Sequence, residues 1–377
     1  MMLPVYGTIA FLVPTLAVAL ACVLVQALRR RPLRPLLLRI AAIHAVLLPL
    51  HLFVSVPCAM GFVGSRFVHT RSDEQGYGGP RILADGTWEL QTRLTLRAER
   101  DGSNGVDPEL EAAAGARRRW ARTAGATVVG AWKVDAPANP PRAVAVLVHG
   151  LFRGALELEP VGAMFRRAGC EVWLVEMPNH GASGRVPATF GLHESHDLAR
   201  AIAEFRSSGE MSAAPLVLFG VSMGTAAVSL ALPHVHGLSG LVLDAPMEDL
   251  LAASHRMLQF HREEDRRNLI RMEQPWRSLT LGWLEVWSGF RLTDVRPQDV
   301  LGSLPATLPV LVVGGGEDDR MPEAVVRGLH AALPMPEGVK ELWIRPGSGH
   351  GNVWTDDPRG YEQRIRALLD RLRSSAR

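Results

Sequence analysis

Residues 216–227 read Leu216-Val217-Leu218-Phe219-Gly220-Val221-Ser222-Met223-Gly224-Thr225-Ala226-Ala227. An apolar run, a tight turn and a small-residue helix follow one another without a gap. The apolar run fits a strand buried on both faces. Gly220 and Gly224 stand two residues either side of Ser222, so the turn is a G-x-S-x-G between strand and helix. A serine on so sharp a turn needs neighbours without a Cβ, because strand and helix must approach closely there. A bare G-x-S-x-G also arises by chance in flexible loops. The apolar strand before it and the small-residue helix after it argue against that origin.

From Ala126 to Arg377 the same alternation repeats, which predicts a mostly parallel sheet covered by helices. Candidate strands are Ala143–Val148, Glu171–Val175, Leu216–Phe219, Gly240–Leu243, Val310–Val313 and Glu341–Ile344. Helical candidates between them include Leu156–Ala168, Glu194–Ser207, Met223–Ala231, Glu323–Leu333 and Tyr361–Leu372. Open sheets of this kind place their sites at the C-terminal ends of the strands. One strand runs into His149-Gly150-Leu151-Phe152, another into Gly314-Gly315-Gly316-Glu317-Asp318-Asp319, and a third into Ser348-Gly349-His350-Gly351. A phosphate loop at Gly314–Gly316 is rejected, since carboxylates stand directly behind it and no Gly-Lys-Ser/Thr follows. Asp318 and Asp319 compete for one acid role, and the spacing from Gly315 and to Pro322 favours Asp318.

Residues from about 126 to the end resemble the α/β-hydrolase superfamily, particularly monoglyceride-lipase-like and membrane-anchored serine hydrolases. The resemblance rests on Val146-Leu147-Val148-His149-Gly150, Pro178-Asn179-His180-Gly181-Ala182-Ser183, Thr189-Phe190-Gly191-Leu192-His193-Glu194, Gly220–Gly224, the Asp318 turn and Gly349-His350-Gly351. Where relatives often carry Asp ahead of the Pro-x-His-Gly-x-Ser stretch, this chain has Glu176-Met177. The order Ser222, Asp318, His350 is that of the superfamily's triad. The resemblance implies an α/β-hydrolase fold with a small helical cap at about 247–305. It assigns Ser222 as nucleophile, His350 as base and Asp318 as the acid orienting it. The backbone N–H groups of Leu151 and Met223 form the oxyanion hole, and Gly220 and Gly224 shape the elbow. His149 precedes the nucleophile and is read as shaping its loop. Neither metal nor organic cofactor is expected. A carboxylate nucleophile, as dehalogenase or epoxide-hydrolase chemistry requires, is absent at position 222.

The expected activity is hydrolysis of an ester or thioester carrying an apolar acyl group, with a small-molecule or lipid substrate. A peptidase or acyltransferase could use the same triad, and a non-catalytic binding protein could keep the scaffold. His193 and His196 with Glu194 imitate a metal face, but no third ligand follows at workable spacing. Met247, Met257, Phe260, Trp276, Leu281, Trp283, Val286, Trp287 and Phe290 occupy the cap interval. Most are expected to pack, and a minority to line an acyl pocket.

The N-terminal sixty-five residues lie outside the resemblance. Leu3 to Leu28 is uncharged, as is Ile40 to Ser65 apart from His44 and His51, and a bilayer needs about 20 apolar residues. Between the runs lie Arg29, Arg30, Arg31, Arg34 and Arg39. The reading is a two-helix transmembrane hairpin over residues 1–65 with a basic loop. A cleaved signal would want a basic start, and Ala19-Leu20-Ala21 fits a lipoprotein site at Cys22 poorly. The positive-inside rule puts the loop in the cytoplasm and the hydrolase domain on the other side.

Residues 66–125 read as linker and accessory elements: a linker over Arg71–Gly86, a period-two strand from Trp88 to Leu96, and a helix from Asp107 to about Arg122. Hydrophobic residues make up 47% of the 377, which excludes a disordered chain. A formal net charge of +3, with lysine only at Lys133 and Lys340, gives no concentrated basic face for nucleic acid. No obligate protein partner is inferred. Cys22, Cys58 and Cys170 are too far apart in sequence for a disulfide framework or zinc spacing.

Overall fold

Val144, Val146 and Val148 join one buried core and Ala145 and Leu147 join another, so a single strand feeds both faces of a sheet. That is why its sequence is apolar without alternation. The computed structural model describes residues 18–27, 29, 32–68, 77–82, 88–92, 117–122, 128–258 and 272–374, apart from 152, 182 and 185. They fall into two compact units, one drawn from residues 1–68 and 254–291, the other from 69–253 and 292–377.

The larger unit is built on an eight-stranded sheet. Its strands are β3 (Arg117–Arg122), β4 (Val128–Val134), β5 (Val144–Val148), β6 (Glu171–Glu176), β7 (Leu216–Val221), β8 (Leu238–Asp244), β9 (Val310–Gly315) and β10 (Lys340–Arg345). Their spatial order is β10-β9-β8-β7-β5-β6-β4-β3. From β10 to β6 every pairing is parallel, and β4 and β3 add antiparallel strands at one edge. A separate antiparallel pair joins β1 (Tyr77–Ile82) to β2 (Trp88–Thr92).

Helices cover both faces. Leu198 and Ile202 of one helix, Leu192–Ser207, share a core with Ala227 and Val228 of Met223–Ala231 and with Val326 of Glu323–Ala332. On the other face, Phe165 of Glu159–Arg167 meets Ile365 and Leu368 of Pro358–Ser374. This is the α/β-hydrolase architecture, mostly parallel sheet with flanking helices.

The edge of the sheet differs from expectation. Residues 117–122, read as the end of a helix, form β3, hydrogen-bonded from Arg117↔Lys133 to Arg122↔Val128. Helix propensity is a weak preference, and pairing with β4 satisfies a whole row of backbone groups. β4 itself was not foreseen, although Val128-Val129-Gly130-Ala131-Trp132 carries the apolar signal. β1 occupies part of the stretch read as linker, while the expected strand beyond Thr92 and the helix start at Asp107 lie outside the described residues.

The smaller unit is helical: α1 (Val18–Ala27), α2 (Arg34–Leu50) and α3 (Val56–Val68) from the N-terminal part. A wide turn at His51–Ser55 joins α2 to α3 just past Pro49, whose ring interrupts the ordinary ladder. Together Arg34–Ser65 form one helix of 32 residues, long and apolar enough to cross a membrane. Of the other expected span only Val18–Ala27 is a described helix, shorter than a crossing needs, and residues 1–17 lie outside the described set. The basic loop is shorter than read, because Arg34 and Arg39 belong to α2.

The remaining helices of eight or more residues, in chain order, are α4 (Glu159–Arg167), α5 (Leu192–Ser207), α6 (Met223–Ala231), α7 (Leu250–Met257), α8 (Trp276–Ser288), α9 (Glu323–Ala332) and α10 (Pro358–Ser374). Residues 254–291, inside the expected cap interval, group with the N-terminal helices. Ring stacking of Phe53 on Trp276 (centroids 5.5 Å) and edge-on packing of Phe62 against Trp287 (5.2 Å) join α8 to the long helix.

Candidate active site

Five strand ends of the parallel sheet meet at one serine. β7 ends at Val221, and Ser222 follows with φ 53° and ψ −122°, a strained conformation for a residue with a side chain. Its N–H donates to the Asp244 carbonyl at the end of β8 (2.9 Å), which fixes the turn from beside. The flanking glycines are required sterically. A Cβ on Gly220 would lie 2.5 Å from the Gly224 carbonyl oxygen and 2.7 Å from the Thr225 nitrogen. One on Gly224 would strike the backbone oxygens of Val148 and His149 at the end of β5.

β9 and β10 deliver the partners. Past β9, Asp318 is buried, and its Oδ1 accepts from the N–H groups of Arg320 and Met321, each 2.9 Å. Its Oδ2 lies 2.8 Å from His350 Nδ1, and His350 Nε2 lies 2.8 Å from Ser222 Oγ. With Nδ1–H given to the carboxylate, Nε2 is left to accept the serine proton. Asp319 is exposed, so of the two adjacent acids it is Asp318 that faces the imidazole. Gly315 lets the His350 loop close on β9, since a Cβ there would sit 2.6 Å from the Gly349 oxygen.

The loop after β5 lies against the serine: a Cβ on Gly150 would be 3.5 Å from that of Ser222. Leu151 follows Gly150 in this loop, and Met223 opens α6, where a first-turn N–H has no partner within the helix. His149 behind them is fully buried. Its Nδ1–H donates to the Gly150 carbonyl (2.7 Å), and its Nε2 accepts from the Met177 N–H (3.1 Å). Burial, helped by the neighbouring His180 ring, pushes its pKa down to about 3. A neutral ring with both nitrogens engaged is a brace for the loop and cannot serve as a base.

The other motifs brace the same centre. Glu176 is buried and accepts from Trp132 Nε1 (3.3 Å), which gives that carboxylate a structural position before the Pro178–Ser183 turn. Glu194 accepts from Thr189 N–H, Thr189 Oγ1 and Gly191 N–H at 2.6–3.0 Å. Gly191, at φ 108°, could carry no Cβ, because one would lie 2.7 Å from the Ala227 nitrogen of α6. His196 packs against His234 with ring centroids 4.8 Å apart. Among the described residues no group of His, Cys, Asp and Glu could hold a metal ion.

One pair escaped the sequence reading. Asp244 is fully buried at the end of β8, and the Tyr361 hydroxyl of α10 donates to its Oδ2 (2.7 Å). Burial raises its pKa to about 7, against the anion-favouring hydrogen bond from Tyr361. The available signal was a lone Asp closing an apolar strand.

A profile of the alpha/beta hydrolase family matches residues 145–364. The chain belongs to the alpha/beta hydrolase family. The uncharacterized protein YqkD of Bacillus subtilis is 22% identical to this hydrolase over 245 residues, 64% of this chain and 75% of its own. An esterase of Pyrococcus furiosus superposes with a TM-score of 0.55 at 19% identity, covering 68% of the hydrolase and 91% of the esterase. DcsB in complex with a substrate analogue gives 0.50 at 16% identity, covering 69% and 98%. At such identities the structural likeness establishes a shared fold. Residue roles therefore have to come from the hydrolase's own geometry.

Proposed function

We propose that the hydrolase is a membrane-tethered serine esterase of the lipase-like kind, cleaving esters or thioesters of apolar acyl groups. The observation that carries this reading is the relay Ser222 Oγ–His350 Nε2–His350 Nδ1–Asp318 Oδ2, with both distances 2.8 Å, on a strained turn. His350 takes the proton of Ser222 as its oxygen attacks the acyl carbonyl. The carbonyl electrons move onto oxygen, where the N–H groups of Leu151 and Met223 receive the charge, a contribution of about 3 kcal/mol per donor. Collapse expels the alcohol or thiol, which takes the proton from His350. Water, deprotonated by His350, then cleaves the acyl-enzyme and restores Ser222. Asp318 holds the imidazole orientation and offsets its positive charge throughout.

Tethering is supported by the 32-residue apolar helix Arg34–Ser65 and by the arginines gathered at its N-terminal end. A chain held at a bilayer meets acyl esters that partition into lipid, and this favours an apolar substrate. Arginine-rich flanks stay in the cytoplasm, which would carry the hydrolase unit to the opposite side. A second crossing by residues 3–28 belongs to the same reading.

A fluorophosphonate probe tests the chemistry: the wild type should label and Ser222→Ala should not. Labelling of the variant at the wild-type rate would remove Ser222 from the role. Chromogenic esters of increasing chain length then report the acyl preference. An alkaline phosphatase fusion at the C-terminus reports orientation, and an inactive fusion would reverse it.

A further inference from the structure

The helix of α2 and α3 is longer than a crossing requires. Its 32 residues extend about 48 Å at 1.5 Å each, whereas a hydrocarbon core of about 30 Å takes about 20. With Arg34 and its neighbours among the headgroups, the part from about Leu52 onward reaches the far interface. α8 packs along that part, running in the same direction: Trp276 beside Phe53, Trp283 and Leu284 against Gly61, Trp287 against Phe62. Trp276, Trp283 and Trp287 share one helical stripe, and tryptophan is the residue enriched at membrane interfaces.

Two details make the pairing specific. A Cβ on Gly61 would lie 2.6 Å from Trp283 Cβ and 2.7 Å from the Leu284 nitrogen, so the two backbones touch where a glycine allows it. The second concerns a carbonyl. In the wide turn the Val56 N–H reaches back to the His51 oxygen, and the same step from Leu52 would end on Pro57, which has no N–H. Trp276 Nε1 donates to that Leu52 oxygen at 3.0 Å. Water would satisfy an exposed carbonyl without help, and only where water is excluded does the indole become necessary.

At the edge of that contact Val286, beside the stripe, is 66% exposed, and Trp287, although it touches Phe62, is still 45% exposed. We propose that α8 is itself embedded in the outer interface of the bilayer, gripped by α3, and that lipid covers its Val286–Trp287 face. The proposal rests on the tethering reading. Its consequence is that the chain passes between the membrane body and the hydrolase unit three times: after Val68, at Ala253–Ser254 and at Arg291–Leu292. α8, carried between β8 and β9, is thereby a lipid-held element of the enzyme.

The test uses the full chain in vesicles of phosphatidylcholine and phosphatidylglycerol, with Cys22 and Cys58 replaced by alanine. A nitroxide is attached at Val286→Cys or, as a water-facing reference, at Ser207→Cys on α5. Flotation reads tethering, and relaxation by oxygen against a water-soluble nickel chelate reads depth. The chain should float, with the label at 286 reached by oxygen and shielded from nickel, and the label at 207 the reverse. A chain that floats with 286 as open to nickel as 207 overturns the proposal and leaves tethering intact. A chain that stays in the aqueous fraction overturns tethering. Spin–spin broadening at 286 that grows with protein density would put a second copy on this face in place of lipid. In Gly61→Leu the chain should still float while 286 becomes open to nickel. No change there would remove α3 as the grip.

Discussion

α6 and the long helix of α2 and α3 are both apolar almost all the way round, yet they end in opposite surroundings. Met223, Ala226, Ala227 and Val228 of α6 are buried against the sheet. Leu38, Ile43, Val46 and Leu50 of α2 are each at least half exposed. The nine residues of α6 are too few to cross a bilayer and are covered by their own chain, whereas the 32 of the long helix suffice to cross one. All-round apolarity therefore says that a helix must be covered. What covers it decides its use: α6 is held rigidly enough to present Ser222, and the long helix awaits a medium.

The contrast can be broken most forcefully at the N-terminus of α6. Ser222→Ala should lower kcat by about a millionfold while leaving vesicle flotation unchanged, since groups acting as a unit fail together. Parallel loss of activity and flotation would mean that the two apolar helices are not separate in function. Next in size, Asp318→Asn should cost about ten-thousandfold in kcat by spoiling the His350 tautomer. Asp319→Asn, on the exposed neighbour, should stay within about tenfold of wild type, a change in the barrier of no more than about 1.4 kcal/mol. A reversed pair of results would exchange their roles.

A matched pair of charges tests coverage directly. Val228→Asp buries a carboxylate in the core beneath α6 and should cost about 3–5 kcal/mol, read as loss of the cooperative unfolding transition. Val46→Asp, near the middle of the long helix, should cost about 2.5–3.5 kcal/mol of membrane insertion, read by flotation. If Val46→Asp floats as well as wild type, lipid does not cover that face.

The smallest effect concerns two buried groups beside the elbow. His149 has its pKa lowered to about 3, so it binds protons more readily unfolded, and its contribution to stability is lost as pH falls from 6.5 toward 3. Asp244 has its pKa raised to about 7, so it holds its proton in the fold, and its contribution is lost as pH rises from 3.8 toward 7. Between pH 4.5 and 6.5 the two slopes oppose. Asp244→Asn keeps an acceptor for Tyr361 and should leave stability rising with pH by on the order of 1 kcal/mol per unit. Denaturant midpoints at the two pH values measure it, and a slope unchanged from wild type would exclude Asp244 as the opposing group.

The central strands, the elbow and the candidate nucleophile, acid and base were legible in the sequence because each depends on local chemistry. Val144–Val148 must be apolar to serve two cores, Ser222 needs glycines two residues away, and Asp318 and His350 follow strand ends in a recognisable order. Where long-range pairing overrides local preference, the sequence was silent or misleading. Arg117–Arg122 is a strand because β4 offers it a row of hydrogen bonds, against its helical propensity. Asp244 and Tyr361 stand 117 residues apart and meet only because β8 and α10 pack together, which no local pattern announces. The same holds for Trp276, which completes the hydrogen bond of a carbonyl 224 residues earlier. Composition alone showed that residues 40–65 need an apolar partner. Only the tertiary structure chose α8 for part of that surface, because close helix contact depends on where Gly61 falls against a specific turn of the other helix.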